Sequence, residues 1–238
     1  MDNAVYATLT RQSGLMREMQ TVANNIANAA TTGFRKEGVV FAEHVRGLGP
    51  DTPSLSMATA SGRAIDLAQA PLTKTGAPFD LAIEGEGFFQ IQTPTGIELT
   101  RAGGFTPTPE GTLITPDGFA LLDEGGAPIV LPAGAHDIAV AADGTISSGG
   151  GPIARLGLVL PADPAELRHV AGTRFAFAGD VVPTGDGRIF QGFLEGSNVS
   201  PVYEVARMIE VQRAYELGQA FLEREDGRIR AVIQTLGG

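Results

Sequence analysis

The chain contains no cysteine, and its 238 residues include few basic ones: 17 Lys and Arg stand against 27 Asp and Glu. The missing cysteine excludes disulfide bonds, thiolate chemistry and any zinc site built on cysteine. The formal net charge of −10 argues against a nucleic-acid-binding protein, which would present a basic face. There is no polybasic cluster that would bind an acidic membrane surface, and no run of about 18 apolar residues that would form a transmembrane helix. We therefore expect no nucleic-acid partner and no direct membrane insertion.

Two further absences narrow the possible functions. The opening MDNAVYATLT lacks the basic and apolar segments of a secretory signal, so we expect no cleaved signal peptide. The three histidines, His44, His136 and His169, lie far apart and lack His-x-x-x-His spacing. This distribution predicts neither a metal site nor a Ser-His-Asp triad. We therefore expect no metal and no cofactor.

Glycine and proline are abundant instead, at 32 and 15 residues. Between residues 79 and 193, short runs rich in Ile, Val, Leu, Phe and Thr alternate with turn sequences, with a spacing of about 8–12 residues that is typical of a compact antiparallel sandwich or barrel. No helix-length period separates the runs, so βαβ units are not expected. The runs are FDLAI, FFQIQ, GIELTR, GTLIT, FALLD, PIVLP, HDIAVAADGTI and ARLGLVL.

The N-terminal region has a helical period. Apolar or near-apolar residues recur in alternate steps of four and three, which predicts an amphipathic helix with a heptad seam. Gly33 is suited to end this helix because glycine adopts the left-handed conformation without strain. The seam consists of Val5, Leu9, Gln12, Met16, Met19, Ala23, Ile26 and Ala30.

A second long helix is predicted at the C-terminus. Ser200 and Pro201 form a typical helix start, with the serine as cap and the proline in the first turn. A seven-residue repeat then keeps one line of side chains facing a partner helix. Gly218 weakens this helix by about 1 kcal/mol relative to Ala. A close approach of another helix is one explanation for a glycine at this position. The line consists of Met208, Tyr215, Leu222, Ile229 and Leu236.

These patterns predict an α+β chain. Each helical seam is too narrow to support a globular core alone, so we expect the two terminal helices to pair as a coiled-coil domain. The segment between them in sequence is expected to form a central, mainly antiparallel β-domain. The segment after the first helix shows no sustained period and includes GLGPDTPSLSMATASG, a composition typical of a loop or extended linker. The predicted divisions are 1–33 for the N-terminal helix, 34–77 for the linker, 78–195 for the β-domain and 196–238 for the C-terminal helix.

Candidate catalytic groups are few. Asp80, Glu84 and Glu86 could serve acid–base chemistry on a glycosidic bond, which would make the chain a wall-lytic enzyme. These carboxylates lie in a strand and turn, where acidic residues commonly face water. The motif GEGFF contains Gly-x-Gly but lacks the third glycine of a dinucleotide-binding site. A secreted β-rich adhesin is another alternative. The residues favour a protein that is not an enzyme, has no catalytic residue, and uses its two helices to bind partners.

The stretch ANNIANAATTGF places Asn24, Asn25 and Asn28 within the predicted helix. Three asparagines cost about 1.5–2 kcal/mol of helix preference relative to alanine. On a helical wheel they lie roughly opposite the apolar seam, so we expect the seam to face inward and the carboxamides outward. Replacing Asn25 or Asn28 with alanine is then expected to leave the monomer as stable or slightly more so, while impairing assembly. The basic pair Arg35 and Lys36 follows directly, and an intersubunit contact is one interpretation of it.

Three segments resemble the bacterial flagellar axial proteins, the family of rod, hook and hook-associated subunits. NNIANAATTGFRKEGVVF is similar to the N-terminal signature of that family, and residues 191–237 are similar to its C-terminal signature. The segment PFDLAIEGEGFFQIQTPTGIELTRAGGFTPTPEGTLITPDG resembles the β-domain opening that rod and hook proteins share. Within the family, the opening MDNAVY and the length favour the proximal-rod subunits of the F type over the distal-rod G type.

The resemblance implies a structural subunit of the flagellar basal-body rod, localised in the periplasmic space. Such subunits polymerise helically with copies of themselves and with other rod subunits into a hollow drive shaft that transmits torque. They leave the cell through the flagellar type III export apparatus without a cleaved signal peptide. The resemblance also implies that the residues matching the two family signatures make contacts in the assembly. These residues are Asn24, Asn25, Asn28, Gly33, Phe34, Gln191, Gly192, Glu195, Ser197, Asn198, Val199, Met208, Gln212, Arg213, Tyr215 and Glu216.

Overall fold

The computed structural model describes residues 2–46 and 55–236. They form two compact units: unit 1 takes in the described parts of Met1–Ala27, Glu37–Ala64 and Ser200–Gly238, and unit 2 takes in Asn28–Lys36 and Ile65–Val199. A helix lies near each end of the chain and an antiparallel β-region lies between them, so the predicted α+β class is confirmed. Residues 47–54 of the predicted linker and the last two glycines lie outside the described residues.

Unit 1 contains both long helices. Helix α1 spans Asp2–Ala27 and helix α2 spans Pro201–Leu236, and the two contact each other. Helix α2 begins at the predicted Ser-Pro start. Helix α1 ends earlier than the seam suggested, and after a turn at residues 28–30 the chain reaches Gly33, whose φ of 73° lies in the predicted left-handed region. The pattern therefore located both helices within a few residues.

Unit 1 also contains two strands in the segment interpreted as a linker. Strand β1 spans Glu37–Arg46, strand β2 spans Leu55–Ile65, and together they form a two-stranded sheet, with β1 against α1. The sequence LSMATASGRAI of β2 has no alternation of apolar and polar residues. Main-chain pairing between strands does not depend on that alternation, which explains why composition did not predict the sheet.

Unit 2 consists of short strands joined by tight turns. All of its strand pairs are antiparallel, as the turn spacing predicted. The strands are β3 (Leu72–Lys74), β4 (Leu81–Glu84), β5 (Phe89–Thr93), β6 (Gly96–Thr100), β7 (Thr106–Pro107), β8 (Leu113–Ile114), β9 (Ala120–Leu121), β10 (Ala139–Val140), β11 (Thr145–Ser148), β12 (Gly151–Arg155), β13 (Val159–Pro161), β14 (Arg168–Ala171), β15 (Arg174–Ala176), β16 (Val181–Pro183), β17 (Arg188–Gln191) and β18 (Phe193–Glu195).

The largest sheet of unit 2 has seven strands in the order β14-β15-β6-β5-β9-β8-β7. A three-stranded sheet follows the order β10-β11-β12, and three two-stranded sheets join β13 to β16, β17 to β4 and β18 to β3. The predicted run PIVLP makes only isolated bridges, at Val130 and Pro128. Proline at both ends of this run removes two backbone donors, which explains why it forms no regular strand.

Two apolar clusters meet at the start of strand β5. Phe89 lies in the larger cluster, together with Leu81 and Ile83 of β4, whereas Phe88 lies in a smaller cluster with Phe175. Successive side chains of an extended chain point to opposite faces, so Phe88, just before β5, and Phe89, its first residue, enter different clusters. The buried members of the larger cluster are Leu81, Ile83, Phe89, Ile91, Phe105, Leu113, Leu121, Ile129, Leu131, Ile146, Leu156, Leu158 and Ile189.

Candidate functional site

Asn25 holds three elements of unit 1 together. Its Nδ2 donates to the carbonyl oxygen of Glu37 at 2.9 Å and to Oε2 of Glu204 at 3.1 Å, and its Oδ1 accepts from the N–H of Glu37 at 3.0 Å. One carboxamide therefore satisfies both main-chain groups of the first residue of β1 while contacting the first turn of α2. A carboxamide can donate and accept at once, which neither a carboxylate nor an ammonium group can do.

The inward face of α1 differs from the predicted seam. Leu9 and Met16 of the seam are 48% and 41% exposed, whereas Asn25 is only 1% exposed. The expectation that the seam faces inward was wrong for these two residues, and the expectation that the carboxamides face outward was wrong for Asn25. The buried residues of α1 form a neighbouring stripe: Gly14, Leu15, Glu18, Thr21, Val22 and Asn25.

Paired polar groups explain this shift of the buried face. Glu18 is buried on α1, and its Oε1 lies 2.7 Å from Nε and 2.5 Å from Nη2 of Arg207 on α2. A buried charge is acceptable when an opposite charge and hydrogen bonds satisfy it. A periodicity that counts apolar residues cannot anticipate an inward face that carries Glu18 and Asn25.

Helix α2 follows its predicted line over its first half. Met208, Tyr215 and Leu222 are half-buried, whereas Ile229 and Leu236 at the far end are 46% and 83% exposed. The two fully buried residues of the described helix α2, Glu204 and Val211, lie outside the predicted line. The seven-residue repeat therefore identified the contacting side of α2 but not every residue on it.

Gly218 marks a close approach between the two helices. A Cβ at this position would lie 3.2 Å from Nε2 and 3.3 Å from Cγ of Gln12 on α1. The same Gln12 side chain donates to the carbonyl oxygen of Tyr215 at 3.5 Å. The close-approach explanation of this glycine is thus the one that the structure supports.

Unit 2 contains a buried charged cluster centred on Glu195, which we call the Glu195 cluster and define as Glu195, Arg35, Arg101 and Ala70. The Glu195 carboxylate accepts from Nη2 of Arg35 at 2.6 Å, from Nη1 of Arg101 at 3.2 Å and from the N–H of Ala70 at 3.0 Å. All three charged residues are at most 3% exposed. The interpretation of Arg35 as an intersubunit contact was therefore wrong, because its guanidinium is enclosed within its own chain.

Two guanidinium groups share one carboxylate in this cluster. Burial lowers the pKa of Arg101 to about 10, an effect that the charge of Glu195 opposes and that of Arg35 reinforces. Nη2 of Arg101 also donates to the carbonyl oxygen of Gly85 at 2.7 Å, which spreads its charge onto the backbone. Within the cluster, Glu195 is thus the carboxylate that binds both buried cations, and Glu86 adds a smaller favourable charge at Arg101.

Gly33 and Phe34 of the N-terminal signature lie next to the Glu195 cluster. The N–H of Gly33 donates to the carbonyl oxygen of Glu195 at 2.8 Å, and a Cβ on Gly33 would lie 2.3 Å from the backbone nitrogen of Ala102. Phe34 is fully buried and stacks on the ring of His169 at a centroid distance of 5.2 Å. Only glycine fits the backbone here, because both the positive φ and the close approach exclude a side chain.

The C-terminal signature binds main-chain groups of unit 2. Oδ1 of Asn198 accepts from the N–H of Lys36 at 2.7 Å, and its Nδ2 donates to the carbonyl oxygens of Asp66 and Ala68 at 2.9 and 3.1 Å. Gln191 acts similarly, since it donates to the carbonyl oxygens at positions 78 and 138 and accepts from the N–H at position 140. These carboxamides connect segments that are distant in sequence.

The predicted assembly residues fall into three groups by exposure. Six are buried within the chain: Asn25, Gly33, Phe34, Gly192, Glu195 and Val199. Six are half-buried: Asn28, Gln191, Ser197, Asn198, Met208 and Tyr215. Four are exposed: Asn24, Gln212, Arg213 and Glu216.

Arg101 and His169 were not identified from the sequence. Arg101 follows a buried strand and His169 lies in a short strand, and neither has an acidic neighbour in sequence that would predict its partner. The alternative catalytic residues Glu84 and Glu86 lie at the end of β4 and in the turn that follows it, and Glu84 is exposed. No group of His, Asp and Glu in the described part of the chain is arranged to hold a metal ion. Neither described helix offers the long apolar stretch needed to cross a membrane.

Three family models match this chain in the order in which its elements occur. A model described as flagella basal body rod protein matches residues 6–35, which cover most of α1 and the turn to Arg35. A flagellar hook protein FlgE/F/G D1 domain matches residues 82–148, and a flagellar basal body rod FlgEFG protein C-terminal model matches residues 191–235. The class defined by these matches is that of the structural proteins of the flagellar rod and hook.

Full-length relatives narrow the class. The chain is 39% identical to the flagellar basal-body rod protein FlgF of Caulobacter vibrioides and 38% identical to FlgF of Rhizobium meliloti, over 100% of this chain and 99% of each relative. It is 28% identical to the flagellar basal-body rod protein FlgG of Bacillus subtilis over 98% of both chains. The chain belongs to the family of flagellar basal-body rod proteins, and its similarity favours the FlgF members. It is a structural protein of the flagellar basal body and not an enzyme.

Proposed function

We propose that the chain is a proximal-rod subunit that polymerises helically, with its own copies and with other rod subunits, into the hollow shaft that crosses the periplasm and transmits torque. The observation that carries this proposal is the apolar surface left open on α1. Leu9 and Met16 are 48% and 41% exposed on a helix whose other side already contacts α2. An apolar stripe on an already paired helix is suited to a further helix of a neighbouring subunit.

The contact between α1 and α2 supports their pairing as a coiled coil. Glu18 binds Arg207 across the two helices, and Gly218 admits the Gln12 side chain. Buried or half-buried residues of α2 recur in steps of four and three, at positions 204, 208, 211, 215, 218 and 222. Helix α2 has 36 residues and α1 has 26, so the longer helix extends past the length that α1 can match. The exposed Ile229 and Leu236 lie in this last part of α2, where pairing with a second subunit would cover them.

The exposed members of the predicted set are the proposed contacts with neighbouring subunits. Gln212, Arg213 and Glu216 lie together on α2, and Oε1 of Glu216 accepts from Nε2 of Gln212 at 3.0 Å. Asn24 lies on the exposed side of α1. Met208 and Tyr215 of α2 are half-buried and extend this surface. Asn25 acts by fixing the backbone of unit 1, and the predicted members in unit 2 act by fixing the backbone of that unit.

Export through the flagellar type III apparatus, without a cleaved signal peptide, is part of the same proposal. The alternative is a distal-rod subunit of the FlgG type. The higher identity to FlgF, 39% against 28% for FlgG of Bacillus subtilis, favours the proximal position.

A charge on the open stripe of α1 tests the proposal. We expect Met16→Glu to leave the monomer folded, as judged by circular dichroism and urea unfolding, and to abolish motility and rod formation when it replaces the wild-type chain. Val182→Glu is the matched control because Val182 is 54% exposed on a strand of unit 2. Wild-type motility with Met16→Glu would contradict the proposed interface.

A further inference from the structure

The last strands of unit 2 pair with its first strands. Strand β18 pairs with β3, with Glu195 opposite Leu72, and β17 pairs with β4, with Gln191 opposite Leu81. Each of these sheets has two strands, so the regular ladders of β3 and β4 are formed with residues 188–195, whereas the other edge of β4 is bound by Gly103 and Gln69. We call residues 188–199 the closing segment. It comprises strands β17 and β18 and continues to include Asn198, which binds main-chain groups of unit 2.

The larger apolar cluster of unit 2 requires the closing segment. Leu81 and Ile83 of β4 are 1% and 0% exposed, and Ile189 of β17 belongs to the same cluster. If β17 were absent, the backbone groups on the edge of β4 that faces β17 would lack their partners although the strand lies in the core. Buried backbone groups without partners are strongly disfavoured, so β4 is not expected to occupy its native place before β17 arrives.

The Glu195 cluster imposes the same requirement through charge. The Arg35 and Arg101 side chains are 0% and 4% exposed, and Glu195 supplies the carboxylate that pairs with both. Removing one partner of a buried ion pair leaves an uncompensated charge, which is far less favourable than leaving all partners in water. Arg35 and Arg101 can therefore be enclosed only when Glu195 is in place.

We propose that the closing segment controls the folding of unit 2, so that the β-unit stays open until residues 188–199 dock against residues 33–36, 66–84 and 101. Every other strand of unit 2 precedes this segment, so the unit cannot close until all of them have been supplied. In the context of the proposed export, which this last step assumes, the arrangement keeps the chain unfolded and threadable until its C-terminal part is available. The dependence of unit 2 on the closing segment is a property of the isolated chain.

Hydrogen exchange on the full-length protein tests the proposal. We expect Glu195→Gln to accelerate amide exchange by about a hundredfold or more, jointly in β3, β4, β17, β18 and residues 33–36. Glu98→Gln is the matched control, because Glu98 is also buried in unit 2 and pairs with Arg174 at 2.7 Å. We expect Glu98→Gln to accelerate amide exchange only locally, in β6 and β15. The exchange rates of β3 and β4 are expected to stay within about threefold of wild type.

Two results would overturn the proposal. One is faster exchange in β17 and β18 while the amides of Leu81 and Ile83 keep their wild-type rates. The other is the same exchange pattern in Glu195→Gln and Glu98→Gln, which would indicate general destabilisation.

If Glu195→Gln does not fold, a variant without the three charges of the Glu195 cluster tests the proposal instead. The triple variant Arg35→Met, Arg101→Met and Glu195→Met removes all three charges, and we expect it to restore wild-type exchange in β3 and β4 within about tenfold, since apolar groups can replace buried ion pairs. A triple variant that also fails to fold would overturn the charge argument. These measurements use the isolated chain, so they succeed or fail independently of the motility test of Met16→Glu.

Discussion

Arg35 and Glu195 lie 160 positions apart in sequence and form an ion pair of 2.6 Å in which both side chains are fully enclosed. Their contact brings the N-terminal and C-terminal signatures of the chain together inside unit 2. A charge-assisted hydrogen bond of this length is among the stronger polar contacts in proteins, and its burial makes each partner depend on the other. Several signature residues therefore shape the subunit itself.

Asn25→Ala is expected to destabilise the protein by about 3 kcal/mol. The substitution leaves both main-chain groups of Glu37 and one oxygen of Glu204 without the carboxamide that they bind, and each buried group without a partner costs about 1–3 kcal/mol. Urea unfolding followed by circular dichroism measures the change. This outcome is the opposite of what the helical wheel suggested.

Asn24→Ala provides the matched control for Asn25. Asn24 is the adjacent residue of the same type and is exposed, so its replacement is expected to change stability by about 0.5 kcal/mol or less. Equal effects of the two substitutions would show that the buried hydrogen bonds of Asn25 do not stabilise unit 1.

Gly33→Ala is expected to destabilise unit 2 by more than about 2 kcal/mol. Alanine costs about 1–2 kcal/mol in the left-handed conformation that Gly33 adopts, and its Cβ would also collide with the backbone at Ala102. Gly118→Ala separates the two effects, because Gly118 has a φ of 86° and a Cβ added there would meet no atom of the described residues within 4 Å. Thermal unfolding of both variants gives the comparison, and similar losses would argue against the close approach at Gly33.

Substitutions of Gly218 test the contact between the helices. Gly218→Ala is expected to be within about 1 kcal/mol of wild type, because the gain in helix preference offsets a small displacement of the flexible Gln12 side chain. Gly218→Leu is expected to separate α1 from α2 locally and to lower the helix content seen by circular dichroism. A leucine variant as stable as the alanine variant would show that α1 and α2 do not approach closely at this position in solution.

The pH dependence of stability is expected to reveal the burial of Arg101. Its pKa falls from the ordinary arginine value to about 10 on folding, so between about pH 10 and that ordinary value the unfolded chain binds more protons and stability rises with pH. The free energy of unfolding of wild type minus that of Arg101→Met should be flat below about pH 9. It should then rise by about 1 kcal/mol towards about pH 10.5, as urea titrations can measure. A difference that decreases with pH would mean that the attraction of Glu195 outweighs the cost of burial.

Local patterns predicted a large part of the fold. The helix start at Pro201, the left-handed Gly33 and the series of short antiparallel strands all depend on interactions within a few residues, which one sequence displays. The signature residues of both ends were found through the resemblance of three segments to one family. The sheet of β1 and β2 was missed because its pairing joins two segments across residues 47–54, and neither segment alternates clearly.

Sequence alone determined where the helices and the β-region lie, because capping, turn preference and apolar periodicity act locally. Tertiary structure decided which side of α1 faces inward and where Arg35 and Asn25 point. Those choices depend on distant partners, Glu195 and Glu204, whose positions follow only from the complete fold. A buried polar side chain is stable only beside the group that satisfies it, and no local pattern records where that group will be.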